Sequence, residues 1–221
     1  MSAVVRRLLN LVYPRRCVFC RRILEREPGF VCDDCLTHLP PAPEITGRGE
    51  FYRTAVGACS YVGSVREAVI RFKFSGASFC AEPFGALLAD AVRGKLDGAF
   101  DLITFVPISR LRRRGRGYDQ AELLAQAVGS ALGMPVVRTA VKVRHTGRQS
   151  RLSTAAARRA NVQNAYRAFR PEQWAGKRLL LIDDILTTGA TVSEVSRVLL
   201  SAGAKAVVCG AFAVTPLKES S

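Results

Sequence analysis

The most informative pattern in the chain covers residues 179–191, Leu179-Leu180-Leu181-Ile182-Asp183-Asp184-Ile185-Leu186-Thr187-Thr188-Gly189-Ala190-Thr191. The four leading aliphatic residues predict a buried strand, and Asp183 and Asp184 are expected where that strand leaves the sheet. A loop of small residues follows, and Thr191-x-x-Glu194 predicts an N-capped helix after it. A strand, a loop and a helix in this order are typical of open α/β sheets, which bind ligands at the carboxyl ends of their strands.

The loop after Asp184 suits a phosphate monoester, because its main-chain N–H groups and the dipole of the next helix both favour an anion. Gly189 lets the backbone approach such a ligand closely. Hydroxyl donors are added by Thr187, Thr188 and Thr191. Two adjacent carboxylates suit a pair of vicinal hydroxyls, such as those of a ribose. Each feature alone has an ordinary structural explanation, namely a strand-end pair, a turn glycine and a helix cap. Their order favours a phosphorylated sugar.

Alternating strand and helix signals extend from this loop toward both ends of the chain, which predicts an α/β domain with a mostly parallel sheet. The predicted strands cover residues 51–62, 102–106, 136–143, 179–182 and 206–214. The predicted helices cover residues 64–74 with a capping box from Ser64, 81–96, 120–133 with Asp119 as cap, and 191–203. Residues 109–118 are predicted to form a basic loop, and residues 144–165 a mobile flap.

Basic residues outnumber acidic ones, and the formal net charge is +15. Residues 101–170 contain 14 basic and three acidic side chains, so most of the excess falls in one segment. Arginine predominates, and its planar guanidinium grips phosphate with two parallel hydrogen bonds. The composition therefore predicts an anionic partner: phosphate, a phosphorylated small molecule or nucleic acid.

Residues 14–43 form a separate Cys-bearing module that closes at a proline-rich linker. Two Cys-x-x-Cys pairs predict a structural zinc site with four thiolate ligands, whereas a redox dithiol is the alternative for either pair alone. The predicted ligands are Cys17, Cys20, Cys32 and Cys35. His38 could replace one of them. We accordingly predict a zinc-binding module over residues 1–43 and a second domain over residues 44–221.

No secretory signal or membrane-spanning stretch is evident, and the chain is predicted to be cytoplasmic. The cysteines are therefore expected as thiols or metal ligands rather than disulfides. Cys59, Cys80 and Cys209 stand alone in apolar surroundings and are expected to be buried and inert.

Several further segments narrow the interpretation. They are Phe72-Lys73-Phe74-Ser75-Gly76, Val106-Pro107-Ile108-Ser109, Arg114-Gly115-Arg116-Gly117-Tyr118-Asp119-Gln120-Ala121, and Gln149-Ser150 with Arg159-Ala160-Asn161. Together with residues 183–191 and the four-Cys module, they resemble the ComF family over nearly the whole chain. That family includes a competence protein for natural DNA transformation. The loop itself resembles the 5-phosphoribosyl-1-pyrophosphate (PRPP) loop of type I phosphoribosyltransferases.

The resemblance implies a type I phosphoribosyltransferase-like fold, an open and mostly parallel sheet with flanking helices behind the zinc module. It implies that Asp183 and Asp184 contact the ribose hydroxyls and serve catalysis. Contacts to the 5-phosphate are implied for Thr187, Thr188, Gly189, Ala190 and Thr191. Contacts to pyrophosphate are implied for Pro107, Ile108, Ser109, Lys73, Arg116 and Gln120. Residues 144–161 correspond to a flexible hood over the site, and Mg²⁺ is the implied cofactor.

Two departures from the resemblance bear on function. Asparagine is expected where this chain has Asp119, which affects any amide contact to a ligand but not helix capping. Purine transferases of the hypoxanthine type have aspartate at the position of Thr187, so such an acceptor is disfavoured here. Two hypotheses follow. One is Mg²⁺-dependent phosphoribosyl transfer to an unknown acceptor. The other is a non-catalytic competence factor that binds single-stranded DNA and other competence proteins and uses the fold as a PRPP sensor.

Overall fold

The computed structural model describes residues 14–24, 29–45, 50–144, 146 and 154–216. Within these residues the strands are β1 (Ala55–Ser60), β2 (Leu102–Phe105), β3 (Ala140–Lys142), β4 (Tyr166–Ala168), β5 (Arg178–Leu186) and β6 (Ala206–Val214). The helices are α1 (Asp33–Thr37), α2 (Gly63–Phe74), α3 (Ala81–Leu96), α4 (Arg110–Arg116), α5 (Gln120–Leu132), α6 (Ala155–Val162) and α7 (Ala190–Ser201). None of the described helices combines the length and apolar character needed to cross a membrane.

Four strands form a parallel sheet in the order β1-β6-β5-β2. Side chains of β5 alternate between its two faces, as the pleat of a strand requires. Leu180 and Ile182 enter one hydrophobic cluster, with α2, α3 and α5, whereas Leu179 and Leu181 enter a second cluster with α7. Both faces of the sheet are therefore covered, which explains why its central strands are nearly continuous aliphatic runs.

A separate two-stranded antiparallel sheet is formed by β3 and β4. Ala140 and Tyr166 from these strands join the α7-side cluster, together with Val162 of α6. This small sheet therefore stands on the α7 face of the main sheet, opposite α2.

The Cys-bearing module packs against the same core as the α/β domain. The Phe19 ring stacks on Phe84 of α3 with a centroid distance of 5.8 Å and on Phe212 of β6 with a distance of 6.4 Å. Arg71 of α2 donates from Nη2 to the carbonyl oxygens of Val18 and Phe19, at 2.6 and 3.1 Å. The module and the domain therefore share apolar burial and hydrogen bonds.

The strand through the carboxylate pair is longer than predicted. Asp183 and Asp184 lie inside β5, because β6 is itself nine residues long and continues the ladder as far as Leu186 and Val214. By contrast, β1 is shorter than residues 51–62. The predicted strand over residues 136–143 is reduced to β3, preceded by an isolated bridge between Val136 and Ile103.

Three predictions about helices were wrong. The basic loop contains α4, which Ser109 caps through its Oγ and which Gly117 ends in the left-handed conformation. The helix predicted to begin after Ser64 begins at Gly63 without a side-chain cap. Thr191 is not a cap, because Gly189 occupies the N-cap position with φ of 72° and Thr191 falls within the first turn of α7. The cap at Asp119 was confirmed.

The predicted flap over residues 144–165 contains α6, which Thr154 caps by accepting from the N–H of Ala157. Residues 145 and 147–153 lie outside the described residues, and with them Arg148, Gln149, Ser150 and Arg151 of the predicted hood.

Candidate functional site

The candidate site lies at the carboxyl edge of the main sheet, where β5 delivers Asp183 and Asp184. Lys73 at the end of α2 reaches Asp184, with 2.8 Å between Nζ and Oδ1. Asp183 accepts from the main-chain N–H of Asp184 at 2.8 Å. Burial raises the pKa of Asp183 well above its usual range, and the neighbouring charge of Asp184 raises it further. The pair therefore presents little net negative charge, which suits a site that receives phosphates.

The loop between β5 and α7 offers unused donors. Within the described part of the chain, the main-chain N–H groups of Thr187, Thr188, Gly189 and Ala190 donate to no protein atom. They precede α7, a helix of 12 residues whose dipole favours negative charge at this end. The loop therefore favours the binding of an anion.

Gly189 is required by the shape of this loop. Its φ of 72° lies in the left-handed region, and an added Cβ would be 2.9 Å from the hydroxyl oxygen of Tyr52. A residue with a side chain would thus meet both backbone strain and a steric conflict.

The loop after β2 is held by Asp119. One carboxylate oxygen, Oδ2, accepts from the main-chain N–H of Ile108 at 2.9 Å. The other, Oδ1, caps α5 by accepting from Ala121 and Glu122. Asp119 is 3 % exposed, and burial raises its pKa. The N–H of Ile108 is therefore engaged by the protein, although Ile108 was predicted to bind pyrophosphate.

A cavity of about 300 Å³ joins these elements. The predicted site residues that line it are Asp183, Asp184, Thr187, Thr191, Pro107, Ile108, Lys73 and Arg116. The other predicted residues do not line it. Thr188, Gly189 and Ala190 form the turn beside it, and Ser109 caps α4. Gln120 is buried at the start of α5. Its Oε1 accepts from Arg116 at 2.7 Å, and its Nε2 has no partner in the part of the chain that the structure describes.

The lining also includes Arg112, Lys142 and Tyr166, which the sequence analysis did not place at the site, and Thr146, which belongs to the predicted hood. The amine of Lys142 lies 3.2 Å from the hydroxyl of Tyr166 and 5.0 Å from the centre of its ring. Arg112 donates to the carbonyl oxygen of Thr146 at 2.8 Å. For Arg112 and Lys142 the sequence signal was the cationic excess of residues 101–170, which does not indicate which cations converge.

The four predicted zinc ligands come together. The sulfur atoms of Cys17, Cys20, Cys32 and Cys35 all lie within 4.8 Å of one another, and those of Cys20 and Cys32 are 3.7 Å apart. Tetrahedral zinc with Zn–S bonds of about 2.3 Å separates its sulfurs by about 3.8 Å, so the cluster fits a structural zinc ion. His38 is not in the cluster, and its Nδ1 lies 2.8 Å from the carbonyl oxygen of Asp34.

The chain is similar to known proteins in both of its parts. Residues 8–46 match the double zinc ribbon domain, and residues 117–219 match the phosphoribosyl transferase domain. Competence protein F of Haemophilus influenzae is 30% identical over 218 residues, which cover 87% of this chain and 93% of that protein. The chain belongs to the ComF family.

Other members of the family carry a different description. DNA utilization protein YhgH of Salmonella typhi is 32% identical over 185 residues, which cover 81% of this chain and 76% of that protein. Among solved structures, glutamine PRPP amidotransferase from B. subtilis has a TM-score of 0.41 and 24% identity, covering 62% of this chain and 26% of that one. The predicted fold class, a type I phosphoribosyltransferase-like sheet behind a four-Cys module, was confirmed.

Proposed function

We propose that this ComF protein binds PRPP and transfers its phosphoribosyl group to an acceptor. The observation that carries the proposal is the loop from Thr187 to Ala190, whose main-chain N–H groups have no protein acceptor within the described residues. The loop follows a carboxylate pair at the carboxyl edge of a parallel sheet and borders a cavity. A ligand with a phosphate next to a diol satisfies both the N–H groups of the loop and the carboxylate pair.

In this proposal the 5-phosphate takes the N–H groups of residues 187–190 and the hydroxyls of Thr187 and Thr191. Asp183 and Asp184 contact the ribose hydroxyls. In the free protein, Lys73 forms an ion pair with Asp184. When PRPP binds, its pyrophosphate replaces Asp184 as the partner of Lys73. After the exchange, Lys73 is paired with an anion and Asp184 is hydrogen-bonded to ribose hydroxyls in a half-buried site.

The transfer is a substitution at C1 of the sugar. The C1–O bond to pyrophosphate breaks, and pyrophosphate leaves with the bonding electrons. The acceptor supplies the electron pair of the new C1 bond and loses its proton to solvent. Cations are the natural stabilisers of this leaving group, and Lys73 and Arg116 both line the cavity. Mg²⁺, when bound together with PRPP, would supply further neutralisation of the charge on the leaving pyrophosphate.

Calorimetry tests the binding step. We expect the wild-type protein to bind PRPP with Mg²⁺ and to bind more weakly without it. Asp183→Asn and Asp184→Asn should each reduce the affinity at least about tenfold, because each replaces a carboxyl group that hydrogen-bonds a ribose hydroxyl. Asp90→Asn is the matched control, since Asp90 is an exposed carboxylate on α3. Equal affinities for all four proteins contradict the proposal.

A second candidate function is binding of single-stranded DNA in natural competence, with PRPP as an effector. It is supported by the names of the relatives in Haemophilus and Salmonella and by α4, in which Arg110 and Arg114 are exposed. Exposed Phe74, with Arg116 stacked 4.8 Å from its ring centre, adds an aromatic surface beside the same edge. Contacts with other competence proteins and a cytoplasmic location stay predictions.

A further inference from the structure

Lys142 is a half-buried cation that the proposed function does not use. It belongs to β3 and lines the cavity. Its amine donates to the neutral phenol of Tyr166, and among the described residues it forms no ion pair with a carboxylate. A charge removed from water without a counter-ion is unfavourable, and a bound anion is the usual compensation.

Thr146, four residues along the chain, adds an independent observation. The residue is 2 % exposed, it lines the same cavity, and among the described residues its hydroxyl has no hydrogen-bond partner. Its carbonyl oxygen is fixed by Arg112, so the residue is held in place. A buried hydroxyl without a partner costs free energy unless a ligand or water completes it.

Lys142 and Thr146 line a different side of the cavity from Lys73, the cation proposed to bind pyrophosphate. Tyr166, against which Lys142 packs, lies in the cluster on the α7 face of the sheet. Lys73 ends α2, whose apolar residues lie in the cluster on the opposite face. The cavity is lined by the basic residues Lys73, Arg112, Arg116, Lys142 and Arg158, against the two carboxylates Asp183 and Asp184.

We infer that the acceptor of the phosphoribosyl group carries an anionic group, such as a carboxylate, and that Lys142 and the Thr146 hydroxyl bind this group. The inference rests on the proposed transferase function, because it concerns the second substrate of the same site. The carboxylates that line the cavity, Asp183 and Asp184, are assigned to the ribose, so the donors of Lys142, Thr146 and Tyr166 are left to the acceptor. These donors favour an acidic acceptor over a cationic one.

The titration of Lys142 predicts that the affinity for an anion depends on pH. Burial lowers the pKa of Lys142 to about 8, and the charges of Arg112 on α4 and of neighbouring Arg144 lower it too, whereas Asp183 on β5 opposes them. Tyr166 on β4 stays a neutral phenol, since burial raises its pKa. Lys142 therefore loses its proton as the pH rises through about 8, and the affinity for an anion should fall over that range.

Benzoate and benzamide form a suitable probe pair, because they share shape and differ by one charge. NMR titration of the whole chain, with and without saturating Mg²⁺ and PRPP, should show benzoate binding at least about tenfold more tightly than benzamide. Lys142→Met should remove this preference and abolish the fall in benzoate affinity between pH 7 and 9. Thr146→Val should weaken benzoate severalfold. Lys205→Met, at an exposed lysine before β6, is the control and should behave as wild type.

The PRPP affinity of the same variants separates this inference from the proposed function. Lys142→Met should bind PRPP within about twofold of wild type. A loss comparable to that of Asp184→Asn would overturn the inference, because it would assign Lys142 to a phosphate of PRPP. Equal binding of benzoate and benzamide would overturn it too. If the wild-type protein binds no PRPP, the proposed function fails, and the probe comparison without PRPP still decides whether Lys142 recognises an anion. Circular dichroism checks that each variant is folded.

Discussion

At the scale of single residues, the site depends on a few positions where only one residue type fits. Gly189 turns the chain from β5 into α7 with a positive φ, and its Cα hydrogen faces Tyr52. Lys73 and Asp184 neutralise each other in the free protein. The loop donors and the low net charge of the carboxylates are therefore consequences of individual residue choices.

Gly189→Ala should lower the free energy of unfolding by about 1–3 kcal/mol, because alanine is strained at this φ. Denaturant unfolding measures the loss. Gly94→Ala is the matched control. Gly94 lies inside α3 with open space around its Cα, so alanine should there stabilise the protein by about 0.5–1 kcal/mol.

Removing the hydroxyl of Tyr52 distinguishes the steric conflict at Gly189→Ala from the backbone strain. In the double variant Tyr52→Phe/Gly189→Ala the close approach of 2.9 Å disappears and the backbone strain remains. We expect partial recovery of stability relative to Gly189→Ala alone. A Gly189→Ala protein as stable as wild type would show that the loop does not hold this conformation in solution.

At the scale of elements, Asp119 joins the loop after β2 to the start of α5. Its two carboxylate oxygens accept from Ile108 on one side and from Ala121 and Glu122 on the other. Asparagine has one acceptor oxygen, so it can accept either from Ile108 in the loop or from the first turn of α5, but not from both. The aspartate in this chain therefore fixes the loop more firmly than the asparagine that the family resemblance implied.

Asp119→Ala should lower the free energy of unfolding by about 2–4 kcal/mol, since it removes a helix cap and leaves buried N–H groups without acceptors. Asp119→Asn should cost about half as much, because one of the two connections survives. Thermal and denaturant unfolding measure both changes. Asp90→Asn, an exposed carboxylate paired with Arg93, should change stability by less than about 0.5 kcal/mol. An equal effect of Asp119→Ala and Asp90→Asn contradicts this account.

At the scale of the whole molecule, the zinc module and the α/β domain are coupled through Phe19, which stacks on Phe84 and Phe212. The module is too small to hold itself together by apolar burial alone, so metal binding should supply much of its folding free energy. Loss of the metal should then expose part of the shared core. Module and domain are therefore expected to unfold in one transition.

Cys20→Ser should reduce the zinc content from one ion per chain to less, and it should lower the unfolding temperature of the entire chain. Elemental analysis and calorimetric unfolding measure the two effects. Cys209→Ala is the control, because Cys209 is buried in β6 far along the chain from the four-sulfur cluster and should leave the zinc content unchanged. Full zinc content in Cys20→Ser would exclude the four-thiolate site.

The uneven charge predicts how single-stranded DNA binds under the second candidate function. Affinity should fall steeply with salt, and each arginine that contacts phosphate should contribute about 0.7 to the slope of log K against log salt. Arg110→Ala and Arg114→Ala on α4 should each lower that slope. Lys177→Ala and Lys205→Ala, at the amino ends of β5 and β6, should not. A salt-independent affinity would contradict nucleic-acid binding.

Local patterns in the sequence were enough to predict the four-Cys cluster, the parallel sheet, most helices and the loop after Asp184. Each of these depends on residues that are close in sequence or on regular hydrophobic spacing, which local physical chemistry controls. The strand over residues 179–182 was recognisable from its aliphatic run. Its extension to Leu186 was not, because that length depends on pairing with β6.

Only the tertiary structure revealed the partners of the charged groups. Lys73 and Asp184 are 111 positions apart, and Lys142 meets Tyr166 across β3 and β4. The helical state of residues 110–116 and the engagement of Ile108 by Asp119 are likewise set by contacts that no periodicity encodes. Hydrophobic spacing specifies which face of an element is buried. It does not specify which distant ionic groups come within hydrogen-bond distance, because that depends on how the elements pack together.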